Sequence, residues 1–212
     1  MHRGGVMDGR VLWSATMQEL IRDSVRESIR VKEAFAEEHG ERLEKVARLC
    51  ADALRQGHKL LLFGNGGSAA DAQHIAAEFV NRFRVERRPL PALALTVDTS
   101  ALTSIGNDYS FEEVFSKQVQ ALGQAGDVAI AISTSGNSPN ILRAIDACGD
   151  AACFVVGLTG GDGGKMKDQV DFLLNVSATR ETARVQETHI LACHILCEMI
   201  DRILFPDAEA AG

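Results

Sequence analysis

Two periodicities divide the chain. Apolar residues first recur at Met17, Leu20, Ile21, Val25, Ile29 and Phe35, the three-and-four spacing of one helix face. Thr16-Met17-Gln18-Glu19 has the capping-box pattern, with Glu19 placed to reach back to the cap. Gly40 reads as a stop, and a second helix is expected from about Glu41 to Gln56, closed by Gly57. This front pair carries its own apolar stripe, which the rest of the chain or another subunit has to cover. From Lys59 the pattern changes. Short apolar runs without alternation, as in strands buried on both faces, fall at Lys59–Phe63, Ala92–Thr96, Asp127–Ser133, Cys153–Thr159 and Asp171–Val176. Helices are expected between them at about Ser68–Phe83, Ser110–Leu122 and Asn137–Cys148, with a short piece at Lys165–Gln169 and a last helix from Thr182 to near Ile203. The alternation predicts an α/β fold: a doubly wound five-stranded parallel sheet flanked by helices, with two N-terminal helices in front and ligands at the strand C-termini. In this reading residues 1–15 form a mobile tail, 16–57 the helical pair, and 58–207 the main domain, compact with the pair.

The first strand runs into Gly64-Asn65-Gly66-Gly67-Ser68, and alanines then carry a helix, with Ser68 as its N-cap candidate. Strand, glycine turn and helix N-terminus make an anion site, because free N–H groups and the helix dipole point at one spot. His74 and Glu78, four apart, share a face of that helix. The third strand closes in the same way, into Ser133-Thr134-Ser135-Gly136-Asn137-Ser138-Pro139, whose hydroxyls can donate to phosphate oxygens without carrying charge. Either turn alone reads as helix capping. Two at the ends of different strands in one sheet point to a phosphate pocket.

Gly64 to Ala69 also fits the G-x-G-x-x-(G/A) dinucleotide fingerprint. The fingerprint also expects an acidic residue about 20 positions later, at the end of the second strand, and the nearest candidate there is Asp98, well beyond that distance. A nicotinamide or flavin oxidoreductase is therefore a secondary reading. Asn81 to Arg88 is a basic run, read as a solvated helix end whose cations suit the C-terminal dipole. In the last helix His189 reads as bland or surface. His194 is harder to dismiss, because Gln186 and Glu187 lead a helix that is otherwise apolar. Gln186 and His194 lie about 12 Å apart along that helix, long for two ligands of one ion unless both reach inward or subunits share the site.

The 212 residues suit one α/β domain with a helical extension. The net charge of −7 argues against general nucleic-acid binding, and no run of about 18 apolar residues predicts a membrane span. The N-terminus lacks the apolar segment of a secretory signal. Five irregularly spaced cysteines suit a reducing cytoplasm. Cys193 and Cys197 flank His194, and the favoured reading is two small buried residues rather than a metal clamp.

At these stretches the chain resembles the sugar isomerase domain family, in particular its bacterial phosphoheptose isomerases, from the front helices to Leu204. The motifs that carry the resemblance are Gly64-Asn65-Gly66-Gly67-Ser68, His74 with Glu78, Gly106-Asn107-Asp108, Ser133 to Ser138, and Gln186 with His194. The resemblance implies substrate contacts from Asn65, Gly66, Gly67, Ser68, Glu78, Asn107, Asp108, Ser133, Thr134, Ser135, Ser138 and Gln186. It implies a zinc ion, one per subunit, held by His74, Glu78, Gln186 and His194, with Glu78 and His194 as the acid/base pair. It further implies a cytoplasmic homotetramer that interconverts sedoheptulose 7-phosphate and D-glycero-D-manno-heptose 7-phosphate through an enediol, feeding activated heptose to surface polysaccharide such as lipopolysaccharide. A non-catalytic relative of the same fold, which binds the replication initiator protein, is similar around Asn81–Phe83 and Gln118–Ser133. The presence of Glu78 and His194 favours the enzyme.

Overall fold

The computed structural model describes residues 6–7, 10–11 and 16–208. The tail expected over 1–15 lies outside them, except for an antiparallel pair of two-residue strands, β1 (Val6–Met7) and β2 (Arg10–Val11).

The two front helices are in fact one. α1 runs unbroken from Met17 to Arg55, 39 residues, behind the predicted Thr16–Glu19 capping box. Gly40 does not stop it: φ stays negative there and the residue is exposed. A helical glycine costs only about 1 kcal/mol against alanine, and the flanks outweigh that. His39 Nε2 lies 2.8 Å from the Asn175 carbonyl and Arg42 donates to the Leu173 carbonyl at 2.9 Å. Both acceptors belong to β7 (Phe172–Val176), an edge strand of the sheet, so α1 covers that edge as it passes Gly40.

The main sheet is all parallel, in the order β4-β3-β5-β6-β7. Its strands are β3 (Leu60–Gly64), β4 (Ala92–Ala94), β5 (Val128–Ile132), β6 (Phe154–Gly160) and β7. Helices cover both faces, as expected of a doubly wound α/β sheet. Leu60, Leu62, Val128, Ile130 and Ile132 pack with α1, α2 (Gly67–Val80) and α6 (Thr182–Leu204). The alternate residues Leu61, Phe63, Ala129 and Ala131 pack with α4 (Ser116–Leu122) and α5 (Pro139–Asp150). Both faces of each central strand are therefore apolar, which is why no alternation marks them in the sequence.

Three local expectations are corrected. A helix absent from the sequence reading, α3 (Thr99–Asp108), follows β4; it has no buried residue and so no apolar stripe to announce it. The helix expected over Ser110–Leu122 splits into a 3-10 turn, Phe111–Glu113, and α4. The basic run is not simply a solvated end. The Arg87 side chain is 1% exposed, paired at 2.7 Å with that of Asp201, which is 2% exposed.

A candidate active site between two helices and two turns

β3 and β5 are neighbours, with Gly64 opposite Ile132, so the two predicted turns leave the sheet side by side. Their amides join them. Asn65 and Asn140 exchange two hydrogen bonds of 2.9 Å. Asn140 is buried and was not anticipated; its only signal is an amide among the apolar positions of the inner face of α5.

In the first turn the helix begins earlier than expected. Gly66 is the N-cap, without a side-chain cap bond, and Ser68 lies inside α2, buried. The second turn folds on itself. Ser133 and Ser138 hydroxyls lie 3.2 Å apart, and the Asn137 N–H donates to Ser135 Oγ at 3.2 Å. Gly136 has φ +62, and a Cβ there would fall 2.1 Å from the Gly163 carbonyl oxygen, so no side chain fits. Ser138 precedes Pro139 at the start of α5 without capping it through its side chain.

Thr134 and Ser135 line a cavity of about 240 Å³ with Gly160, Asp162, Arg180 and Thr182. Arg180, two residues before α6, and Thr182, its first residue, are lining residues that sequence reasoning missed; no motif spacing marks them. Asn65 and Gly66 line a second, smaller hollow of about 150 Å³ with Thr96 and Phe111. Asn107 and Asp108 end α3, both exposed, and Asn107 donates to Asp108 at 2.9 Å. They line neither space. Asp98 caps α3, its carboxylate accepting from the Ala101 N–H; that use of the carboxylate weighs against the dinucleotide reading.

Two turns along α2 from the anion turn, side chains converge from two helices. His74 Nε2 is 3.1 Å from Glu78 Oε1 and 3.3 Å from His194 Nε2 on α6. One donor atom from each residue lies within 4.8 Å of the others. Metal bonds of about 2.0–2.1 Å at tetrahedral angles place donor atoms roughly 3.3 Å apart. Two imidazole nitrogens and a carboxylate oxygen at these spacings therefore fit a divalent cation. Gln186 sits elsewhere: its amide lies where a Cβ on Gly67 would be, 2.6 Å away, roughly 10 Å along α2 from His74.

The surroundings tune the cluster. The Phe83 ring stacks on His194, with centroids 5.4 Å apart and planes 8° apart, which fixes the imidazole orientation. Burial, and then the charge of His74, hold His194 below its ordinary pKa, with Glu78 opposing. Burial lifts the half-buried carboxyl of Asp71, one turn before His74, with the two histidines opposing. His189 is fully buried and structural, Nε2 2.9 Å from the Thr159 carbonyl, and burial lowers it to about 4. All five cysteines are free and buried, and burial pushes the Cys193 thiol up to about 12, so Cys193 and Cys197 are packing residues.

Comparison with known proteins gives the family. The model of the SIS domain matches residues 25–160. A phosphoheptose isomerase of Nitratidesulfovibrio vulgaris is 50% identical over 193 residues, covering 91% of this chain and 92% of that protein. The chain belongs to the SIS domain family, among its phosphoheptose isomerases. Solved members of the family share the fold. The phosphoheptose isomerase of Neisseria gonorrhoeae superposes with a TM-score of 0.83 at 49% identity, covering 88% of this chain and 99% of that one. That of Francisella tularensis gives 0.85 at 38% identity, covering 89% and 100%. Among the described residues no helix is long and apolar enough to cross a membrane.

Proposed function

We propose that this chain is an aldose–ketose isomerase that interconverts sedoheptulose 7-phosphate and D-glycero-D-manno-heptose 7-phosphate. One observation carries the reading: α2 starts at a phosphate-type turn and, two turns on, presents His74 and Glu78 to His194. The phosphate is anchored by N–H groups and hydroxyls of the two turns, with Ser68, Ser133, Thr134, Ser135 and Ser138 as donors and Arg180 as the nearby cation. The carbon chain then extends along α2, so that C1 and C2 reach the cluster. Gly66, Gly67, Gln186, Asn107 and Asp108 complete the substrate contacts given by the family pattern.

Glu78 removes a proton from C1 of the ketose and leaves an enediolate. His194 moves the hydroxyl proton between O1 and O2, and the proton returned to C2 completes the aldose. The direct neighbours of the cluster serve this step: Phe83 holds the His194 ring, and His74 lies within reach of both partners. Zinc, held by His74, Glu78 and His194, would polarise the carbonyl and stabilise enediolate charge; Gln186, beside Gly67, stands apart from that ligand set.

The same reading makes the protein a cytoplasmic homotetramer, supported by the exposed apolar residues of early α1. The product would enter activated-heptose synthesis for surface polysaccharide. The test is turnover of sedoheptulose 7-phosphate, with and without zinc, by wild type and Glu78→Gln. Wild type should turn over and exchange carbon-bound hydrogen with deuterated solvent. The variant should lose both by about 10²–10⁴-fold. A variant that exchanges like wild type removes Glu78 as the base.

A further inference from the structure

We propose that Arg87 is a positioning residue for the isomerase site, clamping the end of α2 that bears Glu78 onto the helix that bears His194. The inference rests on the function proposed above. The Arg87 guanidinium donates to the carbonyl of Glu78 itself at 2.8 Å and to the carbonyl of Phe79 at 2.9 Å. It also reaches the Asn81 and Arg88 carbonyls, both at 3.2 Å. The orphan carbonyls of the last turn of α2 thus find one cation, where the helix dipole favours it.

Its Nε donates to Asp201 Oδ1 at 2.7 Å. Asp201 lies on α6, seven residues beyond His194, on the same helix. The ring of Phe205 closes the other side, 5.9 Å from the guanidinium. One side chain therefore holds both helices of the cluster together from behind, without touching the reacting groups.

Stability alone does not explain this pair. Burying an arginine–aspartate pair is expensive, and apolar replacements are often neutral or better. Here the expense is visible, because Asp201 Oδ2 is buried with no hydrogen-bond partner among the described residues. What a planar five-donor fork supplies, and an apolar contact cannot, is a fixed position for particular carbonyls. The position fixed is that of Glu78. Outer residues of this kind typically alter metal affinity or activity by about 10–100-fold when changed.

The test uses the full chain with Arg87→Lys, which keeps the charge and loses the fork, and Asp201→Asn, which loosens the anchor and leaves Arg87 in place. Three quantities are read: thermal midpoint, zinc dissociation constant by chelator competition, and kcat and KM for sedoheptulose 7-phosphate well below the midpoint. Arg87→Lys should weaken zinc about 10-fold or more and lower kcat, with KM within about twofold; Asp201→Asn should move the same quantities less. A variant with a lowered midpoint but wild-type zinc affinity and kcat overturns the proposal, because the clamp would then be structural only. If Arg87→Lys does not fold, Asp201→Asn carries the same comparison. A wild type that binds zinc but does not turn over sedoheptulose 7-phosphate defeats the functional reading, and zinc affinity alone then decides the role of Arg87. A wild type that turns over without binding zinc leaves kcat to decide it.

Discussion

Nε2 of His74 and Nε2 of His194 lie 3.3 Å apart, though their residues are 120 positions apart in the chain. At most one proton fits between them, and protonating both places like charges in contact. Burial and His74 already hold His194 low. A histidine lowered on folding stabilises the native state above its unfolded pKa and loses that contribution as pH falls.

Metal binding follows the same sign. At pH 7.5 zinc should raise the thermal midpoint, since a ligand bound only by the native state stabilises it. At pH 5 the shift should vanish, because protonated imidazoles cannot ligate. Thermal unfolding with and without zinc at both pH values checks this, and His194→Ala should abolish the shift at pH 7.5. An equal shift at pH 5 would refute the assignment.

His189 gives a larger pH effect, independent of metal. Its native pKa of about 4 lies below the usual 6.5. Stability should therefore fall as pH drops from about 6.5 to 4, by up to about 3 kcal/mol from this residue. Urea unfolding at pH 7 and pH 4.5 should show a smaller loss in His189→Gln than in wild type. Parallel losses would show that His189 does not carry the effect.

Ser135 and Arg180 line one cavity. Ser135→Ala and Arg180→Gln should each raise KM for the sugar phosphate about 10-fold or more, since a hydrogen bond to a charged group is worth about 1.5–3 kcal/mol. kcat should change less, because neither touches the reacting carbons. Unchanged KM in both variants would remove the phosphate from this cavity.

Gly40 lies exposed in mid-helix with open space around the missing Cβ. Gly40→Ala should stabilise the protein by about 1 kcal/mol, read as a higher denaturant midpoint with unchanged slope. A loss of stability would mean that the helix bends there in solution.

Met17, Leu20, Ile21, Val25 and Ile29 are each about half exposed or more along the first turns of α1. Such an exposed stripe calls for a partner surface, and a second copy of the chain is the proposed one. Light scattering should give a tetramer for wild type and a smaller species for Ile21→Asp with Val25→Asp. A monomeric wild type at micromolar concentration would exclude the assembly.

The sequence alone determined the five strands, the two turns and the histidine–carboxylate pair of α2, because each depends on neighbours within a few positions. Strand burial shows as apolar runs, and His74 and Glu78 meet through helix pitch alone. Gly40 misled because a local stop signal was outweighed by distant partners on β7, and Ser68 because the helix begins two residues earlier, with Gly66 as its N-cap. Only the tertiary structure decided that His194 joins His74 while Gln186 lies beside Gly67, that Asn140 ties the turns together, and that Arg87 is buried against Asp201. Those relations cross between helices and strands, so helix period and turn chemistry cannot encode them. The first and last are set by how α2 and α6 pack on one face of the sheet, and the Asn140 tie by α5, on the other face, starting beside the first turn.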